Sequence, residues 1–377
     1  MDFSKKNFFI IIFIFLFLDF IFSSIFFKKT TAWNIDLYKE KPWRIASSDY
    51  HHGLNPSINE IEQWGESKTR LITNSLGFRD VSNKEISKIS TKRRILLIGD
   101  SFIEGVGFDY SQTLSGLLQK YYNSDYEVLN SAVSSYSPSI YYYKTKHFID
   151  NGYKFNMALV FLDVSDVIDE ISLDFNIYDS KINTKDKKEE NNIKNKIYIF
   201  GYFLRDNFIT FRFLSIISDK TEILKNNLKN RYKASKFFKK NFFKIKDKEL
   251  TIYKMINIDR GNWTRDATSY NNAKFGIEKS EKYLNKLFKL LEENKIKSYL
   301  IIYPWPSQIY FGDEFHQNHW KDFSDKQNIN FLNLYPYFEG SNKEETIFKN
   351  FILNDVHWNS RGTSIVYEAI KKNEIIK

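Results

Sequence analysis

The sequence predicts an α/β chain: a three-layer α/β/α sandwich on a parallel sheet, with an N-terminal transmembrane helix and a basic, mainly helical insertion. Three observations predict it. Short apolar runs rich in branched residues alternate with amphipathic stretches. One long apolar run opens the chain, and one stretch in the middle breaks the alternation and carries most of the net charge. The chain has 377 residues, 42% of them hydrophobic, enough for a sizeable core. It has no cysteine, which excludes disulfide scaffolds, thiolate zinc sites, iron–sulfur clusters and cysteine nucleophiles. Its 6 histidines leave few candidates for imidazole chemistry.

The opening run Asn7–Phe27 reads NFFIIIFIFLFLDFIFSSIFF. About 20 apolar residues cross a bilayer core. Lys5 and Lys6 precede the run and Lys28 and Lys29 follow it, so the flanking charge sets no orientation. With no small-x-small cleavage site after it, the run reads as a retained anchor. Asp19 lies within the span, where a carboxyl needs a proton or a partner.

The remaining elements follow in order. Arg94–Asp100 (RILLIGD) is a buried strand closed by Gly and Asp, and Gln112–Tyr122 spaces Leu114, Leu117, Leu118 and Tyr121 as a helix does. Tyr126–Asn130 is the second strand. Pro138–Asp150 is a helix with proline in its first turn, and Met157–Asp163 is the third strand. Phe275–Asn294 is a strongly amphipathic helix. Ser298–Tyr303 and Ile329–Leu334 are the fourth and fifth strands, and Ser360–Lys371 is the last helix. The organisation expected is an anchor over 1–30, a lead-in over 31–90 packing on the core, halves of the α/β domain over 91–170 and 273–377, and the insertion over 171–272.

The insertion contains the polar run Lys185–Lys196 (KDKKEENNIKNK), whose composition predicts disorder. It also holds the basic aromatic run Lys233–Lys248. Residues Lys220–Glu249 carry 11 basic and 3 acidic side chains, a net +8 of the chain's formal +10. The charge is therefore local. Phe237, Phe238, Phe242 and Phe243 interleave with lysines, the pattern of an interfacial helix, so Lys233–Lys248 is a second membrane-contact candidate. Nucleic-acid binding is not expected, since no binding module accompanies the run.

The chemistry sits at strand ends. Ligands of open parallel sheets bind beyond the carboxyl ends of the strands. Gly99-Asp100-Ser101 ends the first strand, where a serine can expose its hydroxyl. A serine needs a base, and a base histidine needs an orienting carboxylate. Asp355-Val356-His357 supplies both near the C-terminus. Each motif alone reads as a turn, but together they make Ser101, His357 and Asp355 the catalytic candidates. His51 and His52 are adjacent with no third ligand nearby, and His316 and His319 are read as partly exposed polar residues. Asp166, Asp169 and Glu170 are read as loop and capping residues, and Tyr141, Tyr142 and Tyr143 as packing. Trp320 and Trp305 are candidates for stacking on a sugar.

From about Asn74 to the C-terminus, apart from the insertion, the sequence resembles the SGNH/GDSL hydrolase superfamily. Asn74–Arg79 (NSLGFR) is similar to the lead-in of bacterial members, and RRILLIGDSFIEGVG (93–107) to the first block. Leu129–Pro138 (LNSAVSSYSP) resembles the second, with Ala132 in place of the usual Gly. Leu162–Asp166 falls at the third, with Asp163 for Gly and Ser165 for Asn. Asp355-Val356-His357-Trp358 resembles the last block, in the form seen in alginate-type O-acetyltransferases. Tyr303-Pro304-Trp305-Pro306 is similar to a stretch of some anchored members and reads as a wall of the cleft. The resemblance implies acyl transfer by Ser101, His357 and Asp355. It implies oxyanion or substrate contacts from Ala132, Ser165, Asn130 and Trp305, and neither metal nor cofactor. It also implies an ester-bearing envelope glycan or lipid-linked saccharide as substrate, outside the cytoplasm. The altered middle blocks keep a silent, glycan-binding or scaffolding domain as the alternative.

Overall fold

The computed structural model describes residues 5–26, 43–172, 204, 207–265 and 267–376. The polar run Lys185–Lys196 lies outside the described residues. Contacts divide the chain into two compact units: Met1–Lys39 with Tyr178–Ile245, and Glu40–Ile177 with Lys246–Lys377.

The second unit is built on a parallel sheet. Its lead-in holds two antiparallel hairpins, β1 (Arg44–Ser47) with β2 (His51–Leu54), and β3 (Asn59–Trp64) with β4 (Ser67–Ile72). Then come β5 (Arg93–Ile98), β6 (Tyr126–Asn130), β7 (Met157–Leu162), β8 (Lys297–Ile302) and β9 (Asn330–Asn333). These five form one sheet in the order β6-β5-β7-β8-β9, every neighbouring pair parallel. The chain leaves β5 for β6 on one side, then crosses to β7 on the other. The carboxyl ends of β5 and β7 therefore flank the point where the winding reverses, the place where such sheets open a crevice.

Strand burial follows from two covered faces. All six residues of β7 (MALVFL) are buried, so the strand reads as a continuous apolar run rather than an alternation. Helix Pro138–Asp150 packs on Ala267–Glu293, which also meets Val164–Ser172. Helix Leu114–Tyr122 packs on Ser360–Lys372, which meets Lys343–Asn350. Their starts are locally encoded. Thr113 Oγ1 accepts from Gly116 N, Pro138 occupies the first turn, and Asn359 Oδ1 accepts from the amides of Arg361 and Gly362.

Residues 246–272, expected as part of the insertion, group with the sheet-bearing unit. Trp263 explains this: it is buried, and its indole Nε1 donates to Val164 O at 2.7 Å. Helix Asp247–Ile256 likewise packs against helix Pro306–Phe311.

In the first unit, helix Lys5–Phe26 includes a 19-residue stretch long and apolar enough to cross a membrane. It contacts the 29-residue helix Ile209–Phe237. The run Lys233–Lys248 is not one amphipathic helix as its pattern predicts. The long helix stops at Phe237, Lys239 takes a positive φ of 53°, and a separate 3₁₀ turn covers Phe242–Lys244. Its phenylalanines therefore do not share one helical face.

Candidate active site

The site begins with the turn after β5. Asp100 caps the short helix Ser101–Glu104, accepting from Phe102 N at 3.0 Å, which sets Ser101 at the first helical position. Gly99 is required by the close approach of this turn: a Cβ there would stand 2.6 Å from Ile103 Cγ1. The lead-in supports it from below. Arg79 is buried, and its guanidinium donates to the carbonyls of Glu104 (3.1 Å), Gly105 (2.6 Å) and Phe108. Glu104 is held by Arg44 Nη2 at 3.1 Å and accepts from Ser134 N at 2.6 Å.

From the C-terminal loop, His357 Nε2 lies 2.7 Å from Ser101 Oγ, and His357 Nδ1 lies 2.6 Å from Asp355 Oδ1. With Nδ1–H donating to the carboxylate, Nε2 is the acceptor that faces the serine hydroxyl. Ser101 is 8% exposed. Burial pushes the Asp355 carboxyl up, but the hydrogen bond and charge of His357 and the Trp64 indole outweigh it, holding it well below the usual carboxylate range. Trp64 Nε1 donates to Asp355 Oδ2 at 2.8 Å, and its ring stands edge-on to His357 with centroids 5.1 Å apart. Phe102 covers another side of His357, at 4.5 Å between centroids. A small cavity of about 10 Å³ adjoins Ser101 and His357, lined also by Val106, Leu114, Trp358 and Thr363.

The middle blocks are engaged elsewhere. Ala132 N donates to Asn130 Oδ1 at 3.2 Å, and Asn130 Nδ2 donates to Ile103 O at 2.7 Å. Asn130 thus ties the second block to the serine helix from a buried position and offers no open contact surface. Ser165, expected as an oxyanion donor, gives its hydroxyl to Asp163 Oδ1 at 2.8 Å. The carboxylate in the place of glycine captures the hydroxyl in the place of asparagine. Trp305, expected in the cleft wall and as a stacking surface, is 3% exposed; its Nε1 donates to Asp163 Oδ2 at 2.7 Å and its ring packs near Phe102. Trp320 and His316 are wholly buried, so neither is a sugar platform nor a surface residue. His316 Nδ1 pairs with the Tyr335 hydroxyl at 2.9 Å. His319 reaches Glu281 at 3.1 Å.

Asp100, Asp163 and Asp166 place carboxylate oxygens within 4.8 Å of one another, fully buried. The donor set suits a cation, yet protein donors already reach each carboxyl. Tyr303 Oη donates to Asp100, Trp305 Nε1 to Asp163, and Asp163 N to Asp166. Burial and the Asp163 charge push Asp100 and Asp166 well above the usual range, so protons reduce the repulsion. Asp169 is raised to about 7, chiefly by burial, against the pull of Arg260. Glu170 accepts from Ser137 Oγ at 2.8 Å and caps the helix start at Ser139 N. His51 and His52 sit in β2, where His52 Nε2 pairs with Ser134 O at 2.9 Å. Tyr141 is buried, and Tyr142 and Tyr143 pack on Tyr283.

Trp64, Arg44 and Lys144 are site residues that sequence reasoning did not single out. Lys144 Nζ donates to Ser131 O at 2.8 Å, so it fixes the peptide that carries the Ala132 amide. An interior lysine on an otherwise apolar helix face was the only signal available.

No family model and no curated protein matches the chain. Among solved structures it is similar to TesA, with 10% identity, 74% of this chain and 97% of that chain covered and a TM-score of 0.40. It is similar to a GDSL-like lipase from Bacteroides thetaiotaomicron, with 10% identity, coverages of 76% and 91% and a TM-score of 0.38. It is also similar to the acetyl xylan esterase AlAXEase, with 10% identity, coverages of 74% and 99% and a TM-score of 0.37.

Proposed function

We propose that the chain is a membrane-anchored serine ester hydrolase or O-acyltransferase of the SGNH/GDSL type. The observation that carries this reading is the Ser101–His357–Asp355 chain of two short hydrogen bonds, 2.7 and 2.6 Å. Ser101 Oγ attacks the acyl carbon while His357 Nε2 takes its proton. Asp355 holds Nδ1–H and stabilises the imidazolium that forms. The proton then passes to the departing alkoxide, and the C–O bond to the alcohol breaks. Water or an acceptor hydroxyl resolves the acyl-serine by the same route in reverse, which is why one site serves hydrolysis or transfer.

Ser101 N–H, at the head of its short helix, is the oxyanion donor in this reading. The second-block amide and the third-block hydroxyl already have acceptors, and one lost oxyanion donor lowers turnover by about 10² to 10³. Slow catalysis is the consequence. The small cavity beside Ser101 favours a short acyl group, since about 10 Å³ holds about one water. An ester-bearing envelope glycan or lipid-linked saccharide is the proposed substrate class, with helix Lys5–Phe26 as the anchor. The same engaged donors favour a second reading, a domain that binds such a glycan without turning it over.

The test uses the detergent-solubilised full chain with p-nitrophenyl acetate, beside Ser101→Ala and His357→Ala. Ester cleavage lost in both variants supports the enzyme. Equal rates in all three proteins would sink it in favour of the silent reading.

A further inference from the structure

The carboxylate in the middle of the apolar helix is not left to lipid. Asp19 is 9% exposed, and its Oδ1 accepts from Ile209 N at 2.9 Å while Oδ2 accepts from Thr210 N at 3.2 Å. These are two of the orphan amides that open helix Ile209–Phe237, a start whose own N-cap, Phe208, supplies no side-chain oxygen. Phe20 packs on Phe208 beside this contact, with centroids 5.8 Å apart. Ser23, one turn beyond Asp19, is also buried.

The contact fixes a depth. Asp19 lies twelve residues after Asn7 and six before Ile25, about 18 Å and about 9 Å along the helix axis. If the stretch Asn7–Ile25 crosses the hydrocarbon, the amides of Ile209 and Thr210 lie about 9 Å below its nearer edge. The sequence from there, ITFRFLSIIS, is apolar but for Arg212 and small hydroxyls, and charge resumes at Asp219 and Lys220. Ten helical residues span about 15 Å, enough to climb from that depth to the interface at a tilt. Arg212, the one charged residue of this stretch, is not turned to lipid: its Nη1 is buried. Phe213, Leu214 and Ile217 are 62%, 54% and 46% exposed, an apolar surface with the character of the exposed face of Lys5–Phe26.

We propose that the first three turns of helix Ile209–Phe237 are embedded in the bilayer, docked beside the anchor through the Asp19 carboxylate. The occupant of the exposed face of Phe213, Leu214 and Ile217 is lipid acyl chain. The inference rests on reading Lys5–Phe26 as a bilayer span. It gives the chain two membrane-inserted elements instead of one, and it gives Asp19 a function: it satisfies amides that hydrocarbon would leave bare.

The cysteine-free sequence makes a clean test possible. Single variants Phe13→Cys, Leu214→Cys and Asn226→Cys of the full chain are labelled with bimane and reconstituted in phosphatidylcholine–phosphatidylglycerol vesicles. Quenching by lipids brominated on their acyl chains is then read. The expected result is strong quenching at positions 13 and 214, several-fold above that at 226. Quenching at 13 but only background at 214 overturns the insertion while leaving the anchor intact. Background at 13 overturns the anchor and the insertion with it. A label at 214 shielded from aqueous iodide yet not quenched by brominated lipid means that a second copy or another protein covers the face, and also overturns the proposal. In the Leu214→Cys background, Asp19→Leu removes the acceptor and should lower quenching at least twofold, while Asp19→Asn retains an acceptor oxygen and should hold it. Unchanged quenching in Asp19→Leu refutes the docking role.

Discussion

The Trp64 indole holds the far oxygen of the Asp355 carboxylate at 2.8 Å, while the near oxygen takes His357 at 2.6 Å. The catalytic carboxylate in the proposed mechanism is thus gripped from both sides, once by its histidine and once by a hairpin nearly three hundred residues earlier. Trp64→Phe keeps a ring against His357 and removes only the N–H. A hydrogen bond to a charged group is worth about 1.5–3 kcal/mol. Part of that is recovered by water, so a loss of about 3- to 30-fold in kcat is expected, with KM unchanged. Steady-state kinetics on p-nitrophenyl acetate check it; a change confined to KM would mean that Trp64 contacts substrate instead of positioning Asp355.

The cavity beside Ser101 sets the second prediction. At about 10 Å³ it admits a methyl-sized group without rearrangement. Activity should fall at least tenfold from acetate to butyrate and further to octanoate. A profile rising with chain length would show that the cavity is not the acyl site.

Lys144 sets the third. Burial pushes its ammonium down to about 7, against the pull of Glu104. The unfolded chain keeps that proton up to about pH 10.4, so between about pH 7 and 10 it binds more protons than the native state does. Native stability should therefore rise with pH across this window, by at most about 1.4 kcal/mol per unit from this group. Lys144→Met removes the rise and leaves Ser131 O and the Tyr136 hydroxyl without their donor. Urea midpoints at pH 7, 8 and 9 for both proteins read the difference in slope. Parallel slopes would contradict the assignment.

His316 acts with the same sign in the acid range. Burial pushes its imidazole down to about 3, whereas an unfolded histidine titrates near 6.5. A depressed histidine favours the native state above pH 6.5, and that contribution is lost as pH falls from 6.5 toward 3. His52, pushed down to about 4 chiefly by burial, adds to the loss. His316→Gln should make the urea midpoint fall less steeply between pH 6.5 and 5 than in the parent chain. An unchanged steepness would place the acid sensitivity elsewhere.

Much of the sheet and its helices was legible along the chain. RILLIG and MALVFL read as strands because both faces of a parallel sheet are covered, and an apolar run has no other use for such length. Helix starts at Thr113, Pro138 and Asn359 were local chemistry, carried by the residue at the cap. The lead-in hairpins were not legible: β3 (NEIEQW) is mostly exposed and polar, so no apolar periodicity marks it.

The sequence by itself determined which residue types stand at the ends of β5 and in the last loop, because nucleophile, base and carboxylate announce themselves by chemistry and short spacing. Only the tertiary structure decided what each does with its hydrogen bonds. Ser165 and Trp305 looked available until Asp163 was found between them, accepting from both. Trp64 carried no signal until the fold set its indole on Asp355. Asp19 announced that something must meet a carboxylate in an apolar span, but not that it would be the amides of Ile209 and Thr210. A donor seeks the nearest acceptor in space, and across 190 or 291 residues that distance is set by packing, which no local pattern records.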